Sequence, residues 1–127
     1  MLERSAAFSG FTVDDIPAAR HFYGELLGLT VAETNGMLRL TTSGGRETLI
    51  YPNSNHQPAQ FTILNFPVDD IDEAVDALVS AGVAIIRYDG MPQDEKGVMR
   101  GRAVGRGPDI AWFHDPAGNV LSVLRNP

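Results

Sequence analysis

An internal repeat constrains this chain more than any other feature. Residues 11–16 read F-T-V-D-D-I and residues 66–71 read F-P-V-D-D-I, so five of six positions agree. Each copy is followed by a helical pattern, then by a glycine within a short apolar run, L-G-L-T-V at 27–31 and A-G-V-A-I at 81–85. Both copies therefore predict strand, Asp-Asp turn, helix, glycine stop and strand in that order.

The two helices have physical start and stop signals. In the first, Asp14 or Asp15 is placed to cap the N-terminus, and Pro17 falls in the first turn, where a missing N–H costs little. Ile16, Ala19, Tyr23, Leu26 and Leu27 recur at spacings of three and four, which predicts one buried stripe ended by Gly28. In the second, Asp70 followed by Glu73 forms a capping-box pattern, Ile71, Val75, Leu78 and Val79 make the stripe, and Gly82 stops it. Capping also accounts for both Asp-Asp pairs without invoking acid–base or metal chemistry.

Alternation and β-branched content predict strands at 6–13, 30–34, 37–42, 46–51, 60–66, 83–87, 109–114 and 119–124. Asn35-Gly36 and Ser43-Gly44-Gly45 mark tight turns, and D-P-A-G-N at 115–119 joins the last two strands. The polar, Pro-bearing stretch 53–59 reads as a linker between module one (1–52) and module two (60–127) of a single domain. The expected fold is α+β: two βαβββ modules forming a curved mixed β-sheet cup with helices on its outer face.

Composition closes off several functions. The chain has no Cys, which excludes disulfide scaffolds, thiol catalysis and Cys-ligated zinc or iron–sulfur sites. A formal charge of −6 argues against a general nucleic-acid binder, because the phosphate backbone demands a basic face. No apolar run approaches the roughly 18–20 residues that span a bilayer, and no signal-peptide core opens the chain, so a cytoplasmic location without membrane contact is expected.

The same residues carry a resemblance. F-T-V-D-D-I with F-Y-G-E-L-L-G-L at 22–29, F-P-V-D-D-I, and A-W-F-H-D-P-A-G-N-V-L-S-V at 111–123 resemble the vicinal oxygen chelate superfamily. Its members include glyoxalase I, bleomycin-resistance proteins, fosfomycin-resistance enzymes and extradiol dioxygenases. The resemblance covers nearly the whole chain and implies the cup-shaped fold, but it is not specific for one chemistry. In metal-dependent members it implies ligands at the positions of Phe8, Ile63 and Ser122, with an additional Glu near Leu49 or Ile50, where Glu47 is the closest carboxylate. Phe and Ile donate nothing to a metal, and a neutral Ser is a poor sole anchor. No metal or other cofactor is therefore expected; a site using Glu47 with His56 or His114 is the alternative.

Strand parity and the family's turn register then predict what lines the cup. Phe8, Phe61, Ile63, Trp112 and Leu124 form an apolar, aromatic lining with Asn65 and Ser122 as its isolated polar groups, or, alternatively, these side chains fill the cup as packed core. Arg39 opposes Leu38 and Leu40; if it faces the cavity it suits a carboxylate or phenolate, and otherwise it is a surface residue. His114, beside the D-P turn, is a candidate at the rim. His21 and His56 read as surface or boundary residues. Residues 100–106 read as a solvent-facing loop or, alternatively, a lid over the cup.

The resulting expectation is metal-free binding of a hydrophobic or aromatic small molecule, resembling the sequestering bleomycin-resistance branch, in a protein that pairs as a homodimer. An enzyme, whether a lyase, isomerase or dioxygenase type with an atypical or absent metal site, is the second expectation. A family member acting through protein contacts is the third.

Overall fold

The computed structural model describes residues 1–127, which divide into two compact units, Met1–Gln57 and Pro58–Pro127. In the first, β1 (Ser9–Val13) leads to α1 (Ile16–Arg20), which continues as a π-helical segment (His21–Leu26) and is followed by β2 (Thr30–Thr34), β3 (Met37–Thr42) and β4 (Arg46–Pro52). The sheet order is β1-β4-β3-β2, with β1 parallel to β4 and the other neighbours antiparallel. In the second, β5 (Thr62–Pro67) leads to α2 (Ile71–Ser80), β6 (Met99–Arg100), a 3₁₀ turn (Arg102–Val104), β7 (Asp109–His114) and β8 (Val120–Arg125). Its order, β5-β8-β7-β6, again has one parallel pair, β5 with β8. Each unit is thus βαβββ with a mixed four-stranded sheet, and the chain is α+β.

The Asp-Asp repeats act at the helix starts through their second residue. Asp15 accepts a hydrogen bond from the Ala18 N–H and Asp70 from the Glu73 N–H, both at 3.0 Å. That occupies a backbone donor the first helical turn leaves free. Beyond each helix the chain reverses at Gly28 (φ 73°) or Gly82 (φ 87°), a left-handed conformation that side chains with a Cβ disfavour.

One face of each sheet is buried under its helix. In the first unit Leu38, Leu40, Ile50 and Val13 lie there with Ala19, Phe22 and Tyr23, all almost fully buried. Each such aliphatic side chain contributes about 1.5–3 kcal/mol by leaving water. The expected stripe holds at Ala19 and Tyr23 and fails at Leu26, which is 38% exposed, while Phe22 is buried instead. The reason is the π-helical stretch. The Leu27 N–H bonds the carbonyl of Phe22, five residues back, so the turn widens and brings Phe22 and Tyr23 to the sheet together. Their rings meet edge to face with centroids 5.0 Å apart.

In the second unit Ile71, Val75 and Leu78 of α2 are buried, as are Ala111, Phe113, Leu121 and Val123. Val79 was expected in that stripe and is 57% exposed. It lies about 80° round the helix from Ile71, at the edge of the apolar face.

Three strand expectations need correction. Pairing of β1 begins only at Ser9, opposite Thr48, so residues 6–8 precede the strand, and β5 likewise begins at Thr62 rather than 60. Residues 83–87 do not form a strand; they make one bridge, Ile85 to Phe113, and one backbone bond from the Ile86 N–H to the Trp112 carbonyl at 2.8 Å. The second strand of the second module is β6 instead. The Gln93 carboxamide explains the difference. It donates to the carbonyls of Ile86 and Gly97 and accepts from the Tyr88 N–H, all at 2.8 Å, which satisfies backbone groups that a ladder would otherwise need.

The D-P-A-G-N turn is a folding device. Buried Asp115 accepts from the N–H groups of Ala117 and Asn119 and from the Asn119 side chain, each at 2.9 Å. No helix is long and apolar enough to cross a membrane.

Candidate functional site

The face of each sheet turned away from its helix carries Arg39, Asn65, Trp112, His114 and Ser122 of the predicted site residues. In the second unit the register places Asn65, Ser122 and Trp112 side by side across β5, β8 and β7. Ser122 is fully buried and donates a 2.6 Å hydrogen bond to Asn65 Oδ1. His114 pairs with Val120 on the same face and is exposed.

Period-two counting put Phe61, Ile63 and Asn65 on one face. The register shifts between Thr62 and Leu64, so an extra residue, Ile63, sits in a bulge. Thr62, not Ile63 or Phe61, is in register with Val120, and Leu64 pairs with Leu121 on the opposite face. Ile63 is half-buried, and Phe61, ahead of the strand, is 71% exposed.

A depression of about 300 Å³ opens on this unit, lined by Gln60, Phe61, Thr62, Tyr88, Met91, Trp112 and Val120. Tyr88 stands edge-on to Trp112, ring centroids 5.5 Å apart at 80°. The depression brings together Phe61 and Trp112 from the predicted set; Asn65, Ser122 and His114 flank it in register, Asn65 and Ser122 one row along. Tyr88 and Met91 were missed. They lie in an irregular segment without periodicity, where only an aromatic and a Met inside a Gly- and Pro-bearing stretch could have drawn notice.

That segment is tied down by charge. Arg100 makes a two-pronged contact with Asp72 of α2 at 2.7 and 3.2 Å, and its Nε donates to Asp94 at 2.9 Å. Lys96 reaches Asp72 at 3.3 Å and Asp76 at 3.0 Å. The Arg100 guanidinium, with Lys96 behind it, holds the Asp72 carboxyl down to about 2. For Asp94 burial pushes upward, but the Val98 N–H, Arg100 and the Lys96 N–H together hold it below its ordinary value. Arg87 caps the carbonyls of Asp94 and Glu95. Arg100 was read as part of a solvent-facing loop; it is instead the centre of this ion-pair network, because two carboxylates from different segments converge on it. D-E-K-G at 94–97 carries the local signal, Asp at the first and Gly at the fourth position of a turn, which the Gly97 N–H closes on the Asp94 carbonyl at 3.0 Å.

In the first unit Phe8 is 69% exposed, and Arg39 lies in a row with Leu49 and Gly10 on the face away from the helix. Its Nε stands 3.6 Å from Glu47, so the guanidinium is partly committed. His56 Nδ1 and Thr12 Oγ1 are 2.6 Å apart, tying the polar stretch after β4 back to β1. A second depression, about 420 Å³, runs between the helix and β2 with Leu29, Val31 and Gly24 in its floor. Its rim charges already face each other, Arg20 with Glu33 and His21 with Glu25.

The donor set does not fit a metal ion. No three His, Asp or Glu side chains gather closely enough to hold one. Of the residues at the positions the resemblance implies for ligands, Phe8 and Ile63 have no side-chain donor atom, and Ser122 offers only a neutral, fully buried hydroxyl held by Asn65.

A family model described as the glyoxalase/bleomycin resistance protein/dioxygenase superfamily matches residues 6–123. Among solved structures, a glyoxalase family protein from Enterococcus faecalis is 20% identical, with 98% of this chain and 99% of that one covered and a TM-score of 0.67. TnmS3, an antibiotic binding protein from Streptomyces sp. CB03234, is 22% identical over 98% of each chain, with a TM-score of 0.68. FosX, a fosfomycin resistance protein from Listeria monocytogenes, is 12% identical over 97% of this chain and 93% of that one, with a TM-score of 0.69. At these identities the likeness is one of fold. None of the curated proteins matches the chain.

Proposed function

The chain belongs to the glyoxalase/bleomycin resistance protein/dioxygenase superfamily, and we propose that it binds a hydrophobic, aromatic small molecule without a metal ion, sequestering rather than transforming it. One observation carries the reading: an apolar depression is walled by Phe61, Tyr88, Met91 and Trp112, while the positions at which the family resemblance implies metal ligands hold Phe8, Ile63 and Ser122. Apolar walls with a few placed polar groups are what a small-molecule site requires. An antibiotic binding protein among the structural relatives supports the same direction.

Binding here draws on two effects. A flat aromatic ligand removes apolar surface from water against Trp112 and Met91, and its ring joins an existing edge-to-face pair, worth about 0.5–1.5 kcal/mol beyond area alone. Asn65 and His114 supply polar contacts on the same sheet face, and the buried Ser122 acts there through its hydrogen bond to Asn65. Phe8 and Arg39 lie in the first unit and are proposed as contacts there in their own right, Arg39 toward a carboxylate or phenolate once Glu47 is displaced. Sequestration works by mass action, so the complex is stoichiometric and the ligand is recovered unchanged. A homodimer is part of the same proposal, and sedimentation of the full chain tests it.

Trp112 is the single tryptophan, so its fluorescence reports this site alone. Titration with aromatic compounds and glutathione adducts, followed by product analysis, is expected to give saturable quenching with the compound intact. Turnover of any of them overturns sequestration in favour of an enzyme. Calorimetric titration with zinc and nickel is expected to be flat, and a tight stoichiometric isotherm overturns the metal-free reading.

A further inference from the structure

We propose that the ligand carries a carbonyl-type acceptor oxygen at the edge of its aromatic system, and that Asn65 reads that oxygen with its carboxamide N–H groups. The inference rests on the aromatic-ligand reading above and adds the chemical class of the ligand.

It comes from one fixed side chain. Ser122 is fully buried in the middle of β8, and a buried hydroxyl needs a partner. It finds Asn65 Oδ1 at 2.6 Å. The carboxamide is planar, so committing its oxygen to Ser122 sends Nδ2 to the opposite corner. Asn65 is exposed, and Nδ2 makes no hydrogen bond within the protein. Asn65 therefore presents the two N–H donors of its Nδ2 on the corner away from Ser122.

The donors stand beside the aromatic wall. Asn65 and Trp112 flank Ser122 in one row on the same sheet face, about 10 Å apart across two strand spacings. The neighbouring row, Thr62 with Val120, lines the depression. A bicyclic aromatic lying against Trp112 thus brings an oxygen on its far edge to Asn65. Gln60 and Thr62 also line the depression, but neither is held by a side-chain hydrogen bond, so they adapt to a ligand where Asn65 selects one. Ser122 is a positioning residue: it touches no ligand and sets which end of the carboxamide faces outward.

Two probes of one shape separate the possibilities, 2-acetylnaphthalene with a carbonyl oxygen and 2-isopropylnaphthalene without one. Both are titrated into the ¹⁵N-labelled full chain. The single indole N–H signal reports occupancy beside Trp112, and the Asn65 side-chain pair is identified by its loss in Asn65→Ala. The acetyl compound is expected to bind about three- to tenfold tighter, the range of one net hydrogen bond, and to shift both reporters. Asn65→Ala is expected to abolish the preference, so that the two probes bind within twofold of each other. Ser122→Ala, which frees the carboxamide to turn, is expected to reduce the preference without removing it. Equal affinity of the two probes for the natural chain, or a preference that survives in Asn65→Ala, overturns the assignment of Asn65 and leaves the aromatic site standing. Failure of both probes to move the indole signal overturns the aromatic site, and this inference with it.

Discussion

Arg100 and Asp72, 28 residues apart in sequence, close a two-pronged ion pair at 2.7 and 3.2 Å that fastens the segment after α2 back onto the first turn of that helix. The consequence is a pH dependence of known sign. Asp72 has a carboxyl held at about 2 in the folded chain against about 3.9 when unfolded. A depressed carboxyl stabilises the fold above its unfolded value, and that contribution fades as pH falls toward the folded value. Asp72→Asn is therefore expected to lower the melting temperature at pH 7, with a deficit that shrinks below about pH 4 and is small by about pH 2. Both side chains are partly exposed, so 0.5 M salt is expected to narrow the gap at pH 7. Thermal melts of the two proteins from pH 2 to 8 decide it; a deficit independent of pH excludes the ion pair as its source.

Asp115→Ala is expected to be the most damaging substitution outside the apolar core. The carboxylate is buried and serves three N–H groups of a five-residue turn. Taking away an acceptor that buried donors share costs about 2–4 kcal/mol when the lost bonds are to a charged group. Urea unfolding is expected to show the midpoint falling with an unchanged slope. A change under 1 kcal/mol would mean that Pro116 and Gly118 hold the turn without the carboxylate.

Gly101 is constrained by space rather than by backbone angle. Its φ is −67°, which any residue adopts, but a Cβ there would stand 2.5 Å from the Pro108 carbonyl oxygen. The obstacle is backbone and has no rotamer to move aside. Gly101→Ala is expected to cost about 1–3 kcal/mol, in the range of an overpacked core site. A melting temperature equal to that of the natural chain would show that the turn at 102–107 opens freely.

Sequence alone reached the parts of the molecule that local rules decide. The strands at 30–34 and 37–42 match to the residue because alternation and one tight turn fix them, and Asn35 (φ 55°) and Gly36 (φ 75°) both take the left-handed angles that turn requires. The second Asp of each repeat caps its helix because the capping bond spans only three residues. Contacts made from a distance were illegible. Nothing near Ile63 marks it as a bulge, since its register is set by β8. The 83–87 segment has the composition of a strand and is denied one by Gln93. The site divides along the same line: Trp112 opposite Ser122 follows from the turn register, whereas Tyr88 reaches Trp112 through a segment that four ion pairs and one carboxamide put in place.

That carboxamide makes the last prediction. The Gln93 side chain hydrogen-bonds the depression's lining only at the Tyr88 N–H, yet its three bonds fix the path from Ile86 to Gly97 on which Tyr88 and Met91 are carried. Gln93→Ala removes all three, and Gln93→Glu keeps the acceptor for Tyr88 while turning a second acceptor toward the carbonyls of Ile86 and Gly97. Alanine is expected to cost about 1–3 kcal/mol of stability and to weaken an aromatic ligand several-fold by releasing Tyr88 from its edge-on position against Trp112. Glutamate is expected to be as harmful as alanine at pH 7 and milder near pH 4, where a protonated carboxyl regains a donor. Fluorescence titration of Trp112 with 2-acetylnaphthalene at both pH values, beside melts of the same proteins, separates the two effects. If affinity holds while stability falls, Tyr88 is held by its ring contact alone and the Gln93 bonds serve only the fold.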